Sequence, residues 1–155
     1  MKRIFVTIVI MSLLVLPVVF AQQPSYEGSI VKFQVRYSVK RSSITQDYEV
    51  LINNKGVVVV SINDYYTNPE SPHIVKTGKL SAEEFQDFKS FVINTGVFQF
   101  QNEYIASGTM VELSSERIKF VIGNKTKEIV IGSTTAPSKL RAIIQRIEEI
   151  KSRIR

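Results

Sequence analysis

Strict alternation of apolar and polar side chains over residues 31–40 (VKFQVRYSVK) is the feature that most constrains this fold. Odd-numbered positions are apolar, and even-numbered positions are polar or charged. A side-chain period of two is that of a β-strand with one face in a core and the other in water. A helix could not gather these apolar positions on one side, because its period is 3.6 residues. The stretch therefore predicts a half-buried strand.

A β-hairpin is predicted next, after a polar connection at residues 41–47. Tyr48, Val50 and Ile52 begin one strand, and residues 57–62 (VVVVSI) form the return strand. The intervening residues 53–56 (NNKG) end in a glycine, which takes the positive φ that such a turn needs. Residues 63–72 contain two prolines and predict a loop. Residues 73–79 are expected to form a fourth strand.

A helix start is marked by Ser81 and Glu84, which have the spacing of a capping box. Gly96 supplies the C-terminal stop. The apolar face of this helix is formed by Phe85, Phe88 and Val92. Residues 97–100 (VFQF) are then expected to tuck into the core, whereas residues 101–115 have no readable period.

A second hairpin is predicted from residues 117–122 and 126–131, around a turn at 123–125. Pro137 suits the first turn of a closing helix. Its apolar positions recur at spacings of three and four: Leu140, Ile143, Ile147, Ile150 and Ile154. The fold class is therefore α+β in the order β-β-β-β-α-β-β-α. We expect an antiparallel sheet of five to six strands with both amphipathic helices on one face, in a single domain over residues 30–155.

The first 21 residues have the pattern of a secretory signal peptide. Lys2 and Arg3 precede an apolar run at 4–20, and Ala21 offers a cleavage site before Gln22. An N-terminal membrane anchor is the alternative, because the run is near the lower limit for a spanning helix. Pro17 near the cut favours cleavage. The prediction is an exported chain, secreted, periplasmic or at the cell surface, with a flexible lead at residues 22–29.

Composition restricts the chemistry. Cysteine is absent, which excludes thiol catalysis, thiolate metal ligands and attachment through a lipidated cysteine. His73 is the one histidine, and no catalytic or nucleotide-binding motif is present. We expect no catalytic residue, no metal and no cofactor. The formal charge of +6, which falls to +4 once Lys2 and Arg3 leave with the signal peptide, is too small and dispersed to predict a nucleic-acid partner.

Two sets of residues are candidates for binding. The first set comes from the loops and the start of the fourth strand: Tyr65, Tyr66, His73 and Tyr104. Three of these residues are tyrosines, a residue type that is enriched at protein interfaces. These rings could instead simply cover the edge of the sheet. The second set, Lys32, Arg36 and Lys40, shares one strand face at intervals of roughly 13 Å. These residues either make weak contact with an anionic surface or are only the solvated side of the strand.

Four segments carry a resemblance to known proteins: residues 48–58 (YEVLINNKGVV), 80–85 (LSAEEF), 97–100 (VFQF) and 136–140 (APSKL). Together they resemble exported prokaryotic domains of unknown function and, more distantly, emfourin-type inhibitors of thermolysin-like metalloproteases. The resemblance spans most of residues 31–150. It implies the α+β architecture and favours a binding role.

These observations predict an exported, non-enzymatic protein-binding domain, either protease-inhibitor-like or associated with the cell envelope. Its expected partner is a protein of the envelope or the extracellular space. The alternative is a small secreted hydrolase that uses carboxylates or His73. Adjacent pairs such as Glu83-Glu84 and Glu148-Glu149 are the carboxylates in question, although both pairs fall on predicted helices.

Overall fold

The computed structural model describes residues 32–41, 47–63, 73–105, 114–132 and 136–155. The predicted signal peptide, the flexible lead, Tyr65 and Tyr66 lie outside these ranges. Within them the elements are β1 (Phe33–Arg41), β2 (Asp47–Ile52), β3 (Val57–Asn63), β4 (His73–Lys79), α1 (Ala82–Asn94), a 3₁₀ turn (Val97–Gln99), β5 (Glu103–Tyr104), β6 (Ser114–Ile122), β7 (Lys125–Ile131) and α2 (Ser138–Arg153).

The described strands form one seven-stranded sheet in the order β4-β3-β2-β1-β6-β7-β5. Every neighbouring pair is antiparallel except β5 and β7, which run parallel. The predicted α+β class is confirmed, but the expected five to six strands are too few. The additional strand is Glu103–Tyr104. Two residues are too few to show an alternating apolar pattern, so this strand is defined only by its pairing with β7.

One face of the sheet carries the core. Phe33, Val35, Tyr37 and Val39 of β1 are buried, as the alternation predicts, and the apolar faces of both helices join them in a single cluster. Phe33 meets the rings of Phe85 and Phe88 edge-on, with centroids 5.7 and 6.2 Å away. Both helices therefore cover the same side of the sheet. We call this side the helix face and the opposite side the open face.

The predicted start of α1, the glycine that follows it and the first hairpin turn are confirmed, whereas Lys125 belongs to β7 rather than to the second predicted turn. The Ser81 hydroxyl accepts from the Glu84 amide at 3.1 Å, and the Glu84 carboxylate accepts from the Ser81 amide at 2.9 Å. Gly96 follows the end of α1 with a φ of +72°. Gly56 also has a positive φ, +71°, in the first hairpin turn. Helix α2 begins directly after Pro137.

Other differences from prediction are local. Arg41, Asp47 and Asn63 belong to strands rather than to the predicted loops, because ladder pairing continues to them. The prediction that residues 97–100 pack into the core is half correct: Val97 is buried, whereas Phe98 remains 37% exposed. No helix among the described residues is both long and apolar enough to cross a membrane.

Candidate functional site

The two edges of the sheet are built differently. At one edge the short β5 covers the end of β7: the Val130 amide donates to the Asn102 carbonyl, and the Gly132 amide donates to the Tyr104 carbonyl. At the other edge β4 runs for seven residues and pairs with β3 alone among the described strands. A long strand with one neighbour presents a row of backbone groups to a further strand. Edge β4 is therefore the candidate site.

The direction of the β4 backbone groups follows from one hydrogen bond. The Leu80 amide donates to the Gly56 carbonyl at 3.0 Å, so this amide points towards β3. Backbone directions alternate along an antiparallel strand. Ile74, Lys76 and Gly78 therefore bond towards β3. The amides and carbonyls of the intervening residues point outwards: His73, Val75, Thr77 and Lys79.

The side chains of β4 leave this edge accessible. Every residue from His73 to Lys79 is exposed except the half-buried Gly78. Val75 is 53% exposed and Ile74 37%, which makes them two of four large apolar residues exposed in the described ranges. The strand contains neither proline nor an acidic residue, and its charged groups are Lys76 and Lys79. The edge is thus apolar with a positive bias.

A groove adjoins this edge on the helix face. It encloses about 260 Å³ between the sheet and the end of α2, and its lining consists of Tyr48, Val60, Ile62, Lys76, Lys151, Ser152 and Ile154. Ile154 approaches the sheet so closely that a Cβ atom on Gly78 would lie 2.5 Å from its Cδ1 atom. The apolar floor of the groove therefore continues to β4.

The two lysines of the groove differ in their contacts. Lys151 places its ammonium nitrogen 2.5 Å from Glu148 and 3.5 Å from the centroid of the Tyr48 ring. No carboxylate among the described residues lies within ion-pair distance of Lys76. The Lys76 ammonium group is the charge in the groove that an incoming acidic group would meet.

The basic residues predicted from β1 lie on the open face. Lys32, Arg36 and Lys40 are exposed there, and Arg36 lies 3.6 Å from Glu49. The structure adds two cations from β6, since Lys119 stands opposite Arg36 and Arg117 stands opposite Ser38. The alternation of residues 117–121 (RIKFV) was the sequence signal for these residues. Only the β1–β6 pairing shows that they join the first set.

His73 and Tyr104 are at opposite edges of the sheet. His73 begins β4 and places its Nδ1 atom 2.8 Å from Asn63 Oδ1, exposed to solvent. Tyr104 lies in β5, packs against the core, and its hydroxyl accepts from the Gln101 amide at 3.0 Å. Six strand spacings separate the two edges, roughly 29 Å. These two predicted binding residues therefore do not share one surface, and Tyr104 contributes to packing.

Two carboxylates on the helix face of the sheet are held in contacts within the protein. Glu116 lies 2.8 Å from Arg141, and Glu148 accepts from the Tyr48 hydroxyl in addition to pairing with Lys151. Burial, reinforced by nearby Glu116, raises the pKa of Tyr37 far above its ordinary value, so this phenol stays neutral. The contacts of Glu116 and Glu148 join strands β6 and β2 to α2. In the described ranges no three potential metal ligands come together.

Comparison with known proteins supplies no family. No protein-family model matches the chain, and no curated protein matches it either. The functional argument therefore depends on the geometry of edge β4, the groove and the open face.

Proposed function

We propose that the chain is an exported, non-enzymatic protein-binding domain that captures an extended polypeptide by adding it to β4. The observation that carries this proposal is a seven-residue edge strand with exposed apolar side chains and one strand partner. Strand addition gives affinity through main-chain hydrogen bonds, while alternate side chains give specificity. The resemblance to exported domains of unknown function and, more distantly, to emfourin-type inhibitors favours the same role.

The backbone of β4 can supply enough hydrogen bonds for such binding. Each outward-pointing residue offers one donor and one acceptor to an antiparallel partner. A hydrogen bond of this kind contributes about 0.5–1.5 kcal/mol net. Val75 and Thr77 at the centre of the edge would form four, with His73 and Lys79 adding more at its ends.

The partner is a protein of the exported space, either a protease or another protein of the envelope. A protease is compatible if it offers an extended segment, because strand addition receives such a segment from the partner. Tyr65 and Tyr66 precede β4 in the chain and stay predicted contact residues.

The hydrolase alternative has less support. His73 is bonded to Asn63 at the solvent-exposed edge, and Glu84, Glu116 and Glu148 are each paired with a basic side chain. The contacts of His73 and of these three glutamates therefore favour a binding role over a catalytic one.

The experiment is an NMR titration with the heptapeptide Ser-Thr-Val-Gln-Val-Thr-Ser, acetylated and amidated at its ends. We expect the amides of Val75 and Thr77 to shift and to become protected from hydrogen exchange at millimolar peptide. The amides of Ile74 and Lys76 already bond to β3, so their protection should change little. The variant Thr77→Pro removes one outward amide and should abolish binding, because proline is tolerated at an edge but cannot donate.

Thr77→Ala is the matched control, since it removes the side chain and keeps the amide. Equal binding by the wild type and Thr77→Pro would contradict strand addition. So would an absence of shifts at β4 with this peptide and with the two peptides that carry Glu or Lys in place of its central Gln. Circular dichroism and thermal unfolding would establish that each variant is folded.

Contact with an anionic surface is a second candidate, favoured by the placement of Lys119 beside Arg36 on the open face. Glu49 and Glu128 lie 3.6 and 3.9 Å from Arg36 and Arg117, which weakens the positive field and ranks this role second. It predicts binding to phosphatidylglycerol vesicles that falls steeply with salt and is lost in Arg36→Gln/Lys119→Gln. Salt-insensitive binding, or none, would exclude it.

A further inference from the structure

We infer that the segment captured by β4 carries an acidic side chain at its centre, directed into the groove and paired with Lys76. This inference rests on the proposed strand addition and adds the chemistry of the partner. It joins three observations: the direction of the β4 backbone, the position of the groove, and the lack of an ion-pair partner for Lys76 among the described residues.

The pleat of the sheet decides which partner residue faces the groove. Lys76 stands opposite Val60, which is buried on the helix face. A residue placed directly across from Lys76 on an added strand points to the same side. The groove opens there, beside Lys151 and Ile154. The central side chain of the partner therefore enters the groove.

The charge at this position favours a carboxylate. Lys76 has no carboxylate within ion-pair distance in the described ranges, and the neighbouring Lys151 is already paired with Glu148. An opposite charge directly across a strand pair is favourable, whereas a like charge is unfavourable. A glutamate is long enough to place its carboxylate near the Lys76 ammonium group above the apolar floor of Val60, Ile62 and Ile154.

The flanking partner residues face the open side. Across from them lie Val75, which is 53% exposed, and Thr77. Aliphatic β-branched residues pack well against such neighbours and suit an extended backbone. The partner motif is thus apolar–acidic–apolar in an extended segment, with the acidic residue on the side of α2.

A second copy of this chain fits the edge less well. Two β4 strands paired about Lys76 would set the two ammonium groups opposite each other, and the strand has no carboxylate to compensate. Lysine on an edge strand is a known barrier to pairing between copies. The formal charge of +4 that remains once Lys2 and Arg3 leave with the predicted signal peptide likewise favours an acidic partner over a second copy.

The test uses three peptides of the form Ser-Thr-Val-X-Val-Thr-Ser, in which X is Glu, Gln or Lys. Binding is followed through the Val75 and Thr77 amides at low and high salt. We expect the Glu peptide to bind on the order of tenfold more tightly than the Lys peptide, with the Gln peptide between them. The difference should shrink as salt is added.

Reversing the charge of Lys76 tests whether this residue causes the difference between the peptides. Lys76→Glu should invert the order, so that the Lys peptide binds best. Lys79→Glu is the matched control, because Lys79 is in the same strand but faces the open side opposite a terminal serine of the peptide. It should lower the affinity of the Glu peptide only slightly and keep the order.

The outcomes separate the two proposals. Equal binding of all three peptides, abolished by Thr77→Pro, would overturn the acidic motif and leave strand addition standing. Binding of none of them would overturn both. Equal effects of Lys76→Glu and Lys79→Glu would show only a general response to charge and overturn the role of the groove. A dimer in sedimentation that Thr77→Pro dissociates would make a second copy the occupant and overturn the inference.

Discussion

The Tyr48 hydroxyl donates to the carboxylate of Glu148, a residue 100 positions away, and so joins β2 to α2. Lys151 covers the same ring, with its ammonium nitrogen 3.5 Å from the ring centroid. Tyr37 meets the Tyr48 ring edge-on, at 6.2 Å between centroids. Tyr48 and Lys151 line the groove beside β4, so these contacts connect the stability of the fold to the shape of the candidate site.

Loss of the Tyr48 hydroxyl should therefore destabilise the protein. We expect Tyr48→Phe to lower the free energy of unfolding by about 1–2 kcal/mol, since a half-buried hydrogen bond to a charged group is lost. Urea denaturation followed by circular dichroism measures the change. Tyr104→Phe is the control, because its hydroxyl only accepts a bond from an exposed backbone amide, and it should cost less. Equal losses in the two variants would contradict the role of Glu148.

The capping box gives a second prediction. Ser81→Ala removes the hydroxyl that accepts from the Glu84 amide, so unfolding should become easier by about 1 kcal/mol. Ser90→Ala, on an exposed part of α1, should be neutral or slightly stabilising because alanine favours helix. Thermal and urea unfolding of the two variants provide the comparison. A loss in Ser90→Ala as large as that in Ser81→Ala would argue against the cap.

Glu84 gives the third prediction, a dependence of stability on pH. The hydrogen bond from the Ser81 backbone amide, assisted by the side chain of Arg153, lowers the pKa of Glu84 below its ordinary value. A carboxyl with a lower pKa in the folded state stabilises the fold above its unfolded pKa. That contribution is lost as the pH falls through the folded pKa.

The wild type and Glu84→Gln should thus differ in unfolding free energy at pH 7 and converge towards pH 3. Glu83→Gln is the control, because Glu83 is in the same helical turn but takes no part in the capping box. Its difference from wild type should change less with pH. A constant gap between wild type and Glu84→Gln across this range would contradict the argument.

The fourth prediction separates the core from the candidate edge. Val58 is fully buried on β3, whereas Val75 on β4 is 53% exposed. Val58→Ala should reduce the unfolding free energy by roughly 2–3 kcal/mol through lost burial and a cavity. Val75→Ala should change it by less than about 0.5 kcal/mol. If Val75→Ala proved as costly as Val58→Ala, edge β4 would be covered in solution and unavailable to a partner.

Local patterns predicted much of this fold. The alternation in β1 required a sheet with one buried face, and the spacing of Ser81 and Glu84 fixed the start of α1. The glycine at position 56 closed the first hairpin in the predicted place. Each of these features depends on residues close together in the chain, so the sequence carries their signal directly. The two residues of β5 carry no such signal, because their strand exists only through pairing with β7.

The candidate site was less accessible to prediction. The exposure of β4 follows from its position at the end of the sheet, and no pattern within residues 73–79 states which strands will have one neighbour. His73 and Tyr104 appeared as parts of one binding set, yet the strand order places them at opposite edges. Arg117 and Lys119 gained significance only when β6 paired with β1.

By itself the sequence determined the periods, caps and turns of this protein, and with them the α+β class and the residues that must be buried. Short-range sterics and the need to remove apolar side chains from water are sufficient for those features. The tertiary structure alone decided the order of the strands, the free edge at β4 and the groove that Lys76 lines together with the end of α2. Such relationships depend on which distant strands form hydrogen bonds with each other, and that choice minimises the free energy of the whole chain rather than of any segment.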